Sequence, residues 1–156
     1  SEDCGADAIL FTCSAFGPAI EAARAAVKIP VLKPNEAMME EAIATGPRIT
    51  LLATFEPSLP AMRAELEQMA AAQKATIEIT TRAIPQALTA LESGDAAEHD
   101  AQIAAVAGEF KACDALLLCQ FSMASAAERI PAQRGRSVFT SPYSAVARLK
   151  QLLAVH

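Results

Sequence analysis

The chain has 156 residues, of which 53% are hydrophobic and 20% charged, and its formal net charge is -5. This length and composition are typical of one globular domain with a sizeable core. The negative charge gives no electrostatic support for binding nucleic acid, and no apolar run approaches the roughly 20 residues of a transmembrane helix.

The cysteines and histidines limit the chemistry that the chain can support. The four cysteines, Cys4, Cys13, Cys113 and Cys119, have no close C-x-x-C spacing, and the chain has only two histidines. This pattern predicts reduced thiols in a cytoplasmic protein and no zinc site. The acidic first residues, Ser1-Glu-Asp-Cys-Gly5, do not have the pattern of a signal peptide.

Short apolar runs alternate with helical stretches along the whole chain. The predicted strands are residues 8–12, 31–33, 49–54, 76–81, 115–119 and 138–141. The predicted helices are residues 19–27, 36–44, 60–72, 84–91, 96–111, 125–130 and 143–153. The repeated order of strand and then helix predicts an α/β fold with a parallel sheet built from βαβ units.

Cys13 is the most informative of the strand-end residues. It follows a predicted strand, has Thr12 and Ser14 on either side, and stands before the segment Ser14-Ala-Phe-Gly-Pro18, which turns into a helix. The free N–H groups of a helix start stabilise anions, and such a position is a known setting for reactive thiols. An inert, buried cysteine is the alternative interpretation, because free cysteines are among the most buried residues.

Two further strand ends carry polar side chains. One runs from Thr54 to Ser58, where hydroxyls and free N–H groups could hold a carboxylate or a phosphate. Ser58 is equally suited to capping the next helix. The other is Leu118-Cys119-Gln120-Phe121-Ser122-Met123. All three ends lie at the same edge of a parallel sheet, so we expect them to form one pocket.

Two thiols on opposite faces of a planar carbanion would allow proton transfer by two bases. One thiolate would remove a proton from a carbon next to a carbonyl, and the other thiol would deliver one to the opposite face. Backbone N–H groups at the strand ends could stabilise the enolate oxygens. This chemistry requires no metal and no organic cofactor.

The remaining polar residues have simpler interpretations. His99, in the polar segment Glu98-His-Asp100, is predicted to be a solvated helix residue. Asp95 and Ser141 are predicted to cap the helices that follow them. Cys4 and Cys113 precede strands at the opposite edge of the sheet and are predicted to be packing residues.

With these strand-end cysteines, the chain resembles the aspartate/glutamate/hydantoin racemase superfamily. The resemblance covers most of the chain and is carried by Gly5-Ala-Asp-Ala-Ile-Leu-Phe-Thr-Cys13, Lys28-Ile-Pro-Val31, Ile49-Thr-Leu-Leu-Ala-Thr54 and Ala115-Leu-Leu-Leu-Cys-Gln-Phe-Ser-Met123. It implies two pseudo-symmetric α/β lobes with the active site between them, and catalysis by two cysteines without a cofactor. The superfamily includes amino-acid and hydantoin racemases, an arylmalonate decarboxylase and a maleate isomerase.

The resemblance also implies roles for individual residues. Cys13 matches the first catalytic cysteine, Ser14 a neighbouring substrate contact, and Thr54 a threonine that helps to hold a substrate carboxylate. It divides the chain into residues 1–47 as the remainder of an amino-terminal lobe, residues 48–135 as a second lobe, and residues 136–156 as a strand and helix returning to the first lobe.

The chain departs from the family pattern in two places. The first strand, helix and second strand of the family, on the order of sixty residues by the size of a lobe, are expected before Ser1. The usual second motif is Gly-Cys-Thr-Gly-Met, and alignment on Met123 places Gln120 at the catalytic cysteine and Cys119 one residue early. Because side chains alternate along a strand, Cys119 and Gln120 should face opposite sides.

These observations favour a cofactor-independent racemase or isomerase that acts on a small carboxylate or amide carbon acid of the amino-acid or hydantoin class. Cys13 and Cys119 are its candidate catalytic residues. The candidate substrate contacts are Thr12, Ser14, Thr54, Ser58, Gln120 and Ser122. The alternatives are a decarboxylase or cis-trans isomerase with one thiol, and an α/β domain that binds a small anion without turnover. The expected partner is a small molecule rather than nucleic acid or a membrane, and the resemblance suggests a homo-oligomer.

Overall fold

The computed structural model describes residues 4–13 and 17–154, which form an α/β fold with parallel sheets. The strands are β1 (Ile9–Leu10), β2 (Val31–Leu32), β3 (Arg48–Ala53), β4 (Glu78–Ala83), β5 (Ala115–Leu118) and β6 (Ser137–Thr140). The helices are α1 (Gly17–Ala26), α2 (Glu36–Thr45), α3 (Leu59–Ala72), α4 (Pro85–Glu92), α5 (Ala96–Glu109) and α6 (Ser141–Leu153). Two 3-10 helices, Glu56–Ser58 and Phe121–Arg129, precede α3 and β6. The predicted α/β class is confirmed.

Two parallel sheets organise the described residues. The small sheet pairs β1 with β2, and the large sheet has the order β4-β3-β5-β6. The predicted strand at residues 76–81 begins and ends two residues later, as β4, because it pairs with β3 from Arg48 and Glu78 to Ala53 and Ala83. Within residues 4–13 and 17–154, no helix is long and apolar enough to cross a membrane.

The centre of the large sheet is covered on both faces, which explains the continuous apolar sequence of β3 and β5. One face of β3 and β5 packs against methionines and leucines of α2 and α3, including Met38, Met39 and Leu66. The other face packs against α4, α5 and the second 3-10 helix, including Ile103 and Met123.

The small sheet is held in place by α1. Nη2 of Arg24, in the last turn of α1, donates to the Val31 carbonyl at 2.9 Å and to Oε2 of Glu36 at 2.7 Å. The carbonyls of Pro30 and Leu32 accept hydrogen bonds from the β1 side. Arg24 therefore fixes α1, and with it the carboxyl ends of β1 and β2, relative to the start of α2.

The strand predicted near residue 138 is β6, the last strand of the described residues. It pairs in parallel with β5 in the large sheet. Both α6 and β6 contact α2, in the earlier part of the chain. The division into lobes stays a prediction.

Ser141 does not cap α6 as predicted, because Thr140 holds the N-cap position and makes no side-chain cap. The Ser141 hydroxyl instead donates to Oδ1 of Asn35, directly before α2. It also lies 3.5 Å from the Leu118 carbonyl. Ser141 therefore connects the start of α6 to the residue before α2 and to the end of β5, rather than capping α6.

The prediction that His99 is solvated is wrong. His99 is only 1% exposed, and its Nδ1 lies 2.8 Å from Oδ1 of Asp100. The Ser125 hydroxyl, in the second 3-10 helix, donates to the same Asp100 oxygen at 2.9 Å. His99 and Asp100 thus face inward, and the bond from Ser125 to Asp100 holds the 3-10 helix against α5. Asp95 does cap α5, accepting from the Glu98 N–H.

Gly46 follows α2 at a point where its backbone passes close to the Asp114 side chain. Asp114 accepts from the Arg48 backbone N–H at 2.9 Å and from Nη2 of Arg48 at 2.6 Å. A Cβ on Gly46 would lie 2.7 Å from Cβ of Asp114. The position therefore needs glycine for space.

We predict that Gly46→Ala destabilises the fold by about 1–3 kcal/mol, because the added methyl group must displace Asp114. Gly108→Ala is the matched control, since a Cβ on this α5 glycine meets nothing within 4 Å and alanine favours a helix. Urea unfolding of both variants measures the difference. Equal free energies of unfolding for Gly46→Ala and the wild type would contradict the prediction.

Candidate active site

Thr54 and Gln120 meet where β3 and β5 end at the carboxyl edge of the large sheet. The Thr54 backbone N–H donates to Oε1 of Gln120 at 2.8 Å, and the Thr54 hydroxyl donates to the same oxygen at 3.2 Å. Two donors therefore converge on one acceptor oxygen. A carboxylate or carbonyl oxygen of a ligand would fit the same donors if the Gln120 side chain turned away.

Cys119, directly before Gln120, has the opposite environment. Its side chain lies on the same face of β5 as those of Ala115 and Leu117, in the core cluster under α2 and α3. Cys119 is only 2% exposed. Its thiol lies 3.6 Å from the Leu117 carbonyl. Burial raises the pKa of the Cys119 thiol to about 12, against a smaller opposing effect of the Leu52 backbone. The structure therefore places Cys119 in the core as a neutral thiol.

Cys13 lies beyond the end of β1, and its free thiol is exposed. Thr12 beside it is exposed as well. Ser14, the third predicted residue of this group, lies outside the described residues. Four residues after Cys13, Gly17 begins α1. Cys13 is thus an accessible thiol at a strand end, in a different sheet from Thr54 and Gln120.

The two remaining predicted contacts are hydroxyls at the starts of helices. The Ser58 hydroxyl donates to the Phe55 carbonyl at 2.7 Å, within the first 3-10 helix region. It makes no side-chain cap on α3, so the capping alternative is wrong. Ser122, in the first turn of the second 3-10 helix, is exposed.

Lys33 is a charged residue at a strand end that the sequence analysis did not identify as a site residue. It directly follows β2, and its Nζ lies 2.7 Å from Oε1 of Glu21 and 3.7 Å from Oε1 of Glu65. The Glu21 carboxylate, as hydrogen-bond acceptor, is the main cause that raises the pKa of Lys33. The sequence feature that could have identified Lys33 is its position at the end of a short apolar strand, directly before Pro34 and Asn35.

The chain matches one family model and is similar to solved structures of two enzymes. A family model described as Asp/Glu/Hydantoin racemase matches residues 1–149. A structure of glutamate racemase isoform RacE1 from Bacillus anthracis is similar with a TM-score of 0.67 and 16% identity, covering 95% of this chain and 58% of that one.

A glycine-to-cysteine mutant of arylmalonate decarboxylase, in its sulfate-associated form, is similar with a TM-score of 0.64 and 18% identity. This match covers 97% of the present chain and 69% of the decarboxylase. At these identities the structural likeness shows the fold. The chain thus spans less than two thirds of the length of the racemase and slightly more than two thirds of the length of the decarboxylase. No curated protein sequence matches the chain.

We predict that iodoacetamide modifies Cys13 and Cys4 in the folded protein, because both are exposed. Cys113 and Cys119, which are buried, should react only on unfolding, since alkylation needs an accessible thiolate. Timed alkylation followed by peptide mass spectrometry measures each rate, with the protein in denaturant as the control for all four. Labelling of Cys119 in the folded protein as fast as Cys13 would contradict its burial.

Proposed function

Because the chain belongs to the Asp/Glu/hydantoin racemase family, we propose that it is an enzyme that moves a proton at the α-carbon of a small carboxylate or amide. Cys13 is the proposed acid/base residue. The observation that supports this most strongly is the exposed Cys13 thiol, at the end of a parallel strand and shortly before a helix. Such strand ends are where α/β folds bind their ligands.

In the proposed reaction, the Cys13 thiolate removes the α-proton and becomes a thiol, and the substrate becomes an enolate. Racemisation is completed when a second acid, for which the Cys119 thiol is the candidate, gives its proton to the other face of the planar carbanion and becomes a thiolate. Hydrogen-bond donors that are strongest for the charged enolate oxygens lower the barrier. The proposed donors are the Thr54 N–H and hydroxyl, which both bond to Oε1 of Gln120 and would be freed for the substrate by a turn of the Gln120 side chain.

A second candidate is chemistry with one thiol, such as decarboxylation. The specific observation in its favour is the position of Cys119, whose buried thiol belongs to the core while Gln120 lies at the sheet edge. In this reaction the bond to a carboxyl group breaks, carbon dioxide leaves, and the enolate takes its proton from the Cys13 thiol. Racemisation by two thiols would require Cys119 to turn out of the core.

The wider setting of the protein follows from the same proposal. We propose a small-molecule substrate, no resident cofactor, and self-association of the chain. The cysteines Cys4, Cys13, Cys113 and Cys119 are all free, which supports a reducing compartment such as the cytoplasm.

We predict that Cys13→Ala abolishes exchange of the substrate α-proton for deuterium. The exchange is measured by NMR in D2O, on a panel of amino acids, hydantoins and substituted malonates. Cys4→Ala is the matched control, because it removes another exposed thiol and should leave the exchange unchanged. Full exchange in Cys13→Ala would refute the role of this thiol.

Cys119→Ala separates the two candidate reactions. One-thiol chemistry predicts that turnover is retained, whereas racemisation by two thiols predicts that it is lost. Cys113→Ala, which removes the other buried thiol, controls for loss of stability through core packing. Loss of activity in Cys119→Ala, with unfolding like that of Cys113→Ala, would favour the two-thiol racemase.

A further inference from the structure

A cavity of about 400 Å³ lies between the start of α1 and one side of α3. Its polar lining consists of Lys33, Glu65 and Gln68, and Pro18 and Met62 contribute apolar surface. The cavity is near the reactive thiol along the chain, because Gly17, which also lines it, follows Cys13 by four residues. Four residues span at most about 14 Å.

The charges around this cavity leave a negative excess. The single ammonium of Lys33 faces two carboxylates, those of Glu21 and Glu65. The start of α1 adds a partial positive charge of about half an elementary charge, which does not balance the second carboxylate. Glu36 is also near, and Arg24 lies 2.7 Å from Glu36 and 3.5 Å from Glu21. The three carboxylates of Glu21, Glu36 and Glu65 thus share the two cations of Lys33 and Arg24.

Lys33 binds its two partners unequally. Its Nζ lies 2.7 Å from Glu21, whereas Glu65 is 3.7 Å away, beyond ordinary hydrogen-bond length. Burial raises the pKa of the Glu65 carboxyl, an effect that Lys33 opposes. The Glu65 side chain is only 22% exposed, so its carboxylate is partly desolvated, and its ion pair with Lys33 is the longer of the two that this ammonium makes.

We propose that this cavity binds an ammonium group of a ligand at Glu65, with the adjoining methylene groups against Met62 and Pro18. Gln68, one turn further along α3, supplies a carboxamide oxygen as a second acceptor. Lys33 keeps its shorter ion pair, with Glu21, and both side chains stay in place. An anionic ligand group is disfavoured, because it would have to displace Glu21 from Lys33.

The inference rests on the proposed function and refines its substrate class. Cys13 would act at the α-carbon, and the cavity would hold a positively charged end of the same molecule. The favoured substrate is therefore a carboxylate carbon acid with an aliphatic side chain that ends in an ammonium group.

Binding of pentylammonium tests the cavity without turnover. We expect pentylammonium to shift the amide NMR resonances of Gly17, Lys33 and Gln68, and 1-pentanol, its neutral counterpart, to shift them far less. Glu65→Gln should weaken pentylammonium binding about tenfold, the effect of losing one hydrogen bond between charged groups. Glu67→Gln is the control on the same helix, because Glu67 is exposed and paired with Arg63, and it should leave binding unchanged.

Two results would overturn the inference. One is equal binding of pentylammonium to Glu65→Gln and to the wild type, and the other is the absence of shifts at the cavity residues. These results are independent of the proposed function, which fails if no compound exchanges its α-proton or if Cys13→Ala exchanges it fully. Exchange of carbon acids with neutral side chains but not cationic ones would likewise overturn the inference and leave the catalytic proposal standing.

Discussion

β3 and β5 pair in parallel at the centre of the large sheet, and every side chain in their shared register, from Ile49 and Ala115 to Leu52 and Leu118, is buried. A strand whose two faces are both covered cannot slip by one residue without exchanging its two sets of side chains. This pairing therefore determines what lies at the carboxyl edge. It brings Thr54 beside Gln120 and turns Cys119 into the core.

The two cysteines predicted to act together consequently have different physical environments. Cys13 is exposed beyond a short strand of the small sheet, and Cys119 is surrounded by apolar side chains that favour the neutral thiol. Proton transfer needs a group that can hold its charge in the site, and burial without a partner opposes that. Of these two cysteines, Cys13 alone is accessible. At the sheet edge next to Cys119 lies Gln120, whose carboxamide bonds to Thr54 at the neighbouring strand end.

The relation between the small and the large sheet depends on α2. Met38 and Met39 are fully buried under β3 and β5, and burial of each such side chain stabilises a fold by about 1.5–3 kcal/mol. At the start of the same helix, Asn35 accepts from Ser141, and Glu36 pairs with Arg24. α2 therefore connects the small sheet, where Cys13 and Lys33 follow strand ends, to the large sheet, where Thr54 and Gln120 follow strand ends. Substitutions in this helix should affect the site even though its buried residues touch no ligand group.

The sequence by itself determined the order of strands and helices, the covered centre of the sheet, and the position of Cys13 at a strand end. Those features depend on apolar periodicity and turn residues, which are local. The alternation of side chains also implied that Cys119 and Gln120 face opposite ways. Only the tertiary structure decided which of them lies in the core, because that depends on what α2 and α3 place beneath the strand. The bond between Asp100 and Ser125 and the ion pair of Lys33 with Glu65 were decided in the same way. Each joins residues far apart in the chain, and the pattern of one element carries no information about which other element packs on it.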